Sequence, residues 1–133
     1  MKSKNNIFIP LVCIFLICGM LWSCDDDDVE ILDTPSIMFP VPELNIDLNL
    51  AKQPAVTAVV NSKTGLKSVS TFITYDGGEQ VMLEQAYTKF FNPNSFSITL
   101  NPIYTEYMKG FKVVVEDIAG QVEEATLPLN ITA

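Results

Sequence analysis

The chain has 133 residues, carries sixteen acidic residues against eight lysines, and contains neither histidine nor arginine. That length leaves room for one domain. The acidic balance repels phosphate backbones and excludes nucleic acid as a partner, and without histidine no Ser/His or Cys/His catalytic device can be assembled.

Residues 1–23 follow the logic of a secretory signal. Lys2 and Lys4 give a positive start, and Ile7 to Trp22 is an apolar run of 16 residues interrupted by Pro10. A spanning helix needs about 20 such residues. The stretch Leu21-Trp22-Ser23-Cys24 resembles the lipobox of bacterial lipoproteins, in which a small residue precedes a lipid-modified cysteine. The resemblance implies cleavage before Cys24 and lipid on Cys24, making a membrane the partner of the new N-terminus. Each buried acyl CH₂ contributes about 0.8 kcal/mol, so more than one chain makes attachment stable. Cleavage leaves 110 residues with six lysines against sixteen acids, a side-chain charge of −10. Cys13 and Cys18 go with the leader, so no internal disulfide can form and stability must come from packing.

Asp25-Asp26-Asp27-Asp28 follows the cysteine. Read as residues alone, it is a solvated, self-repelling tether. It also resembles the acidic export signal of surface lipoproteins of the Bacteroidetes, which implies an outer-membrane location facing the cell exterior. In other Gram-negative lineages an aspartate after the cysteine accompanies retention at the inner membrane. A calcium site is not expected, because the run lacks the Gly-containing loop spacing of a cation motif.

Residues 24–35 are read as the lipidated cysteine and tether, and residues 36–133 as the folded body. Glu43 to Leu50 alternates polar and apolar residues, the pattern of a strand with one wet face. Val56 to Val60 predicts a second strand, closed by the turn Asn61-Ser62-Lys63-Thr64-Gly65. Ser68 to Tyr75 leads through Asp76-Gly77-Gly78 into Gln80 to Leu83, a hairpin signal. Leu83 to Phe91 places Leu83, Tyr87, Phe90 and Phe91 at helical spacing and predicts a loop with a helical turn. Phe96, Ile98 and Leu100 alternate with hydroxyl residues. Asn101-Pro102 predicts an N-cap and Lys109-Gly110 a C-terminus, hence one short helix crossing between sheets. Phe111 to Glu116 and Glu124 to Thr132 complete about seven strands. The fold class expected is all-β, an antiparallel sandwich.

Gly65-Leu66-Lys67-Ser68-Val69 and Val115-Glu116-Asp117-Ile118-Ala119-Gly120-Gln121 are similar to a strand opening and a closing hairpin of bacterial immunoglobulin-like domains. The resemblance implies an immunoglobulin-like sandwich over residues 36–133, in a small surface lipoprotein.

Catalysis is not expected. The only chemistry the composition permits is a carboxylate pair, and the adjacent acids Glu116-Asp117 and Glu123-Glu124 point to opposite faces of a strand, where they read as solvated surface. Zinc lacks its usual ligands, no phosphate loop is present, and no cofactor or metal is expected. Tyr87, Phe90 and Phe91 are the candidate ligand-binding residues, as an aromatic cluster in an irregular segment. Two functions remain open: a structural or interaction module docking on another outer-membrane or extracellular protein, and an accessory glycan-binding lipoprotein of a nutrient-uptake system.

Overall fold

The structure, a computed structural model, describes residues 33–133. The leader, Cys24 and Asp25 to Asp28 lie outside the described residues. Eight strands follow in order: β1 (Ser36–Met38), β2 (Leu44–Asp47), β3 (Val56–Asn61), β4 (Leu66–Tyr75), β5 (Gln80–Met82), β6 (Ser95–Leu100), β7 (Met108–Asp117) and β8 (Val122–Thr132). They form a three-stranded sheet, β1-β3-β6, and a five-stranded sheet, β2-β8-β7-β4-β5.

Period-two alternation decides which side chains meet. Val56, Ala58 and Val60 of β3 pair in register with Leu100, Ile98 and Phe96 of β6. Val69, Thr71 and Ile73 of β4 lie opposite Val115, Val113 and Phe111 of β7. Leu127 of β8 continues that row beside Phe111. These inward faces belong to one hydrophobic cluster, with Phe39 edge-on to Phe111 at 6.1 Å. Each fully buried Val, Ile, Leu or Phe contributes roughly 1.5–3 kcal/mol. The described residues of this cluster lie within Asp33–Ala133, a compact unit by itself.

Four expectations from the sequence need correction. The sheets are not purely antiparallel, because β2 runs parallel to β8 with Leu44 opposite Leu129. An additional strand, β1, forms between Pro35 and Pro40. No helix spans 101–109: the segment is irregular, and its end enters β7. Ile103, Tyr104 and Thr105 are poor helix formers, and Tyr104 is drawn inward, its hydroxyl donating to the Pro54 carbonyl at 2.7 Å. Gly110 serves close approach rather than helix termination, since a Cβ there would meet Thr126 Cγ2 at 2.6 Å and Thr74 Oγ1 at 2.9 Å. The helical turn in Leu83 to Phe91 is also absent. Leu83 N–H donates to the Thr71 carbonyl, and Tyr87 exchanges two backbone bonds with Val69, so the segment extends the edge of β4.

Candidate functional site

The three candidate aromatics divide into two roles. Tyr87 is pinned by its backbone bridge to Val69, at 3.0 and 2.8 Å. Its ring lies 4.9 Å from that of Phe96, and Phe90 meets the same ring edge-on at 5.1 Å. Phe96 faces inward from β6, so Tyr87 and Phe90 close one side of the core between the two sheets. The Tyr87 hydroxyl donates to Glu84 Oε1 at 2.7 Å. Burial first, then that hydrogen bond and the Glu84 charge, push the phenol up from 10.0 to about 12. Phe91 takes no part in this packing and is 107% exposed. Of the three candidates, Tyr87 and Phe90 pack on Phe96 and Phe91 faces solvent.

The two motifs that suggested a family meet at one end of the fold, although fifty residues separate them in sequence. Leu66 lies opposite Asp117, and Ile118 N–H donates to the Gly65 carbonyl at 2.9 Å. Asp117 corrects another expectation: it is fully buried, not solvated surface. Its carboxylate accepts from Gln121 N–H at 2.7 Å, Gln121 Nε2 at 2.9 Å and Thr64 Oγ1 at 2.9 Å. Burial alone would raise its pKa. The bonds from Gln121, Thr64 and the Ala119 backbone outweigh burial and hold the carboxyl below its ordinary 3.8. Gln121 also donates to the Asp33 carbonyl at 3.0 Å, and Lys63 lies 3.4 Å from the Asp33 carboxylate. The last residues of the expected tether are thus already fastened to the body, with Pro35 buried. Asp117 thus ties the 64–66 turn to the hairpin that joins β7 and β8.

Two open clefts accompany these features. One of about 650 Å³ lies at the Asp33 end, between Ser36, Asn61, Lys63 and Asn94. The other, about 250 Å³, is formed by Met38, Phe39 and Pro40 against Thr57, Ala58 and Val59. Among the described residues no group of acids or cysteines is placed to hold a metal.

What sequence reasoning passed over is a segregation of charge. Strands β1, β3 and β6 contain no charged residue, and the runs 34–42, 53–62 and 90–105 around them contain none either. The five-stranded sheet carries the ions: Lys112 pairs with Glu124 at 2.9 Å and Lys67 with Glu116 at 3.6 Å. Such surface pairs contribute about 0–1 kcal/mol each. On the three-stranded sheet Met38 lies opposite Val59, both exposed, in a field of Ser and Thr. The signal was present in the sequence as three long uncharged runs in an acidic chain.

No family model matches the chain, and no curated protein matches it. Among solved structures it is similar to the superoxide reductase (neelaredoxin) of Ignicoccus hospitalis, at 13% identity and a TM-score of 0.47, over 74% of this chain and 80% of that one. A likeness of that strength carries no argument about activity.

Proposed function

We propose that this chain is a non-catalytic lipoprotein of the outer membrane, anchored through Cys24 and facing the cell exterior, whose immunoglobulin-like domain docks on another outer-membrane or extracellular protein. The observation that carries the docking reading is the uncharged outer face of the three-stranded sheet, with its apolar cleft at Met38, Pro40 and Val59. Charge depletion with apolar anchors is the compositional mark of an interface core. The strand order supports the immunoglobulin-like reading. β1-β3-β6 against β8-β7-β4-β5 corresponds to strands A-B-E against G-F-C-C′ of such sandwiches. The anchor and location rest on the lipobox-like Leu21 to Cys24 and the acidic run after it. The non-catalytic reading rests on the absence of histidine and on the structural role of Asp117.

A glycan-binding reading has less support, because Tyr87 and Phe90 are committed to Phe96 and leave Phe91 as a lone ring. Photo-crosslinking from position 59 of the full chain on intact cells tests the docking reading. One discrete adduct, abolished by a Met38→Glu change, supports it; no adduct, with retention on a polysaccharide panel instead, overturns it. An acylated Cys24 peptide by mass spectrometry and loss of the domain to protease added outside the cell check anchor and orientation.

A further inference from the structure

Edge strands offer unpaired backbone groups to any other strand, and natural proteins blunt them with short length, charge, proline or bulges. Three of the four edges here are blunted. β1 has three residues and is followed by Pro40. β5 has three residues and follows Glu79, whose carbonyl is taken by Tyr75 N–H. β2 has four residues, ends in Asp47 and follows Glu43. β6 differs: it has six residues, pairs with β3 in unbroken register along all of them, and contains no charge and no proline.

The open side of β6 can be read from its pairing. Ser62 N–H donates to the Asn94 carbonyl at 3.0 Å. Hydrogen-bonded pairs alternate along an antiparallel ladder, so Phe96 and Ile98 bond to β3 while Ser97 and Thr99 direct N–H and C=O the other way. Ser95 N–H turns back to Asn92, and among the described residues no loop or turn backbone bond reaches Ser97 or Thr99. Both side chains are exposed.

We propose that β6 pairs with β6 of a second copy of this chain, antiparallel about a two-fold axis at Ile98. In that register Ser97 lies opposite Thr99 of the second copy, and their N–H and C=O groups make four backbone hydrogen bonds. The sheet becomes six-stranded and continuous. Two observations select a second copy as the occupant. First, an acidic chain repels itself wherever its charges face, and residues 90–105, which contain β6, form its longest uncharged run beyond Cys24. Second, the two most exposed large hydrophobic side chains among the described residues flank β6, Phe91 before it at 107% and Ile103 after it at 88%. A two-fold axis at Ile98 carries the start of one β6 to the end of the other. Phe91 of each copy then approaches Ile103 of the other, an isologous and self-complementary contact. The pairing goes beyond the docking reading and leaves the Met38–Val59 face open.

The test uses residues 33–133 in sedimentation equilibrium up to roughly 1 mM, the weak limit of specific association, with amide exchange followed across the same series. The expected result is a dimer in which the Ser97 and Thr99 amides gain protection with concentration. Thr99→Pro removes an N–H that β3 does not use, a change edge strands accept, and should weaken the dimer about tenfold or more while the circular dichroism is unchanged. Should that variant misfold, Ser97→Lys sets two like charges beside the axis and should weaken the dimer likewise. A monomer throughout the series overturns the proposal. So does a dimer whose Ser97 and Thr99 amides exchange freely, the result expected for association through Met38 and Val59.

Discussion

Thr71 sits at the middle of β4 facing the core, only 1% exposed, and its hydroxyl has no hydrogen-bond partner among the described residues. An unpaired buried hydroxyl costs roughly 1–3 kcal/mol by mutational measures. Thr71→Val replaces the hydroxyl with a methyl of the same shape, in a row that already contains Val69 and lies opposite Val113. The domain should gain about 1–2 kcal/mol from relieved desolvation and a buried methyl. In a domain near 100 residues each kcal/mol moves the melting temperature about 4–8 °C. Thr71→Ser keeps the unpaired hydroxyl and deletes the methyl, so it should lose about 1 kcal/mol. The order of urea midpoints for residues 33–133 should therefore be Val, then Thr, then Ser. A Val variant less stable than the parent would refute the reasoning, since it would mean that the hydroxyl is bonded in solution.

Gly65 has φ +110°, a region L-residues rarely adopt, and a Cβ there would also meet Ile118 Cδ1 at 2.7 Å. Ile118 is exposed and can swing aside, so Gly65→Ala should cost about 1–3 kcal/mol through the backbone, and adding Ile118→Ala should recover little of it in the same denaturation assay. Asp117 has a folded pKa below 3.8, so its stabilisation is fully present above about pH 4 and is lost as pH falls through the folded value. Asp117→Asn should flatten the acid limb of a melting-temperature profile. The Tyr87 phenol, raised to about 12, stabilises the fold fully below pH 10 and progressively less as pH rises through 12. Burial raises the Tyr104 phenol too, and the Glu106 hydrogen bond and charge raise that of Tyr107, so in a phenolate absorbance titration the Tyr87 step is the late one that Glu84→Gln should bring earlier. Phe90→Ala should cost roughly 1–3 kcal/mol, below the full-burial range because the ring is half-buried, whereas Phe91→Ala should stay within about 0.5 kcal/mol. Equal losses for the two would contradict their assigned roles.

Most strands were legible because alternation survives in the sequence wherever one face is wet. Val56 to Val60 and Phe111 to Val115 are found where the pattern places them. β1 was hidden because Ser36 to Met38 is too short to show a period and lies between prolines. The parallel sense of β2 was hidden for a different reason: reversing a strand's neighbour leaves its inward and outward residues unchanged. The helix signals near Asn101 and Gly110 were each sound locally, but they bracket too few residues, and Tyr104 gains more by reaching Pro54. Tyr87, Phe90 and Phe91 looked like one cluster because sequence proximity cannot tell which rings Phe96 will recruit. The burial of Asp117 was likewise unreadable, since one of its donors is Thr64, which lies 53 residues away.

The two ends of the body are locked by different means, and this bears on how it would stand on a leash. Without a disulfide, strand ends fray unless something satisfies their last polar groups. At the far end Tyr104 and Asp76 do so singly, bonding Pro54 and the Tyr107 carbonyl. At the end where the chain enters, Asp117 gathers Thr64 and Gln121, and Gln121 in turn holds Asp33. Any pull on the chain before Asp33 is delivered to this network and to Lys63 rather than to a free strand end. Gln121→Ala should then expose the amides of β1 to exchange before those of β7, because β1 alone depends on Asp33 for its approach. Equal protection of β1 in the variant and the parent would show that the β3 ladder suffices to hold it.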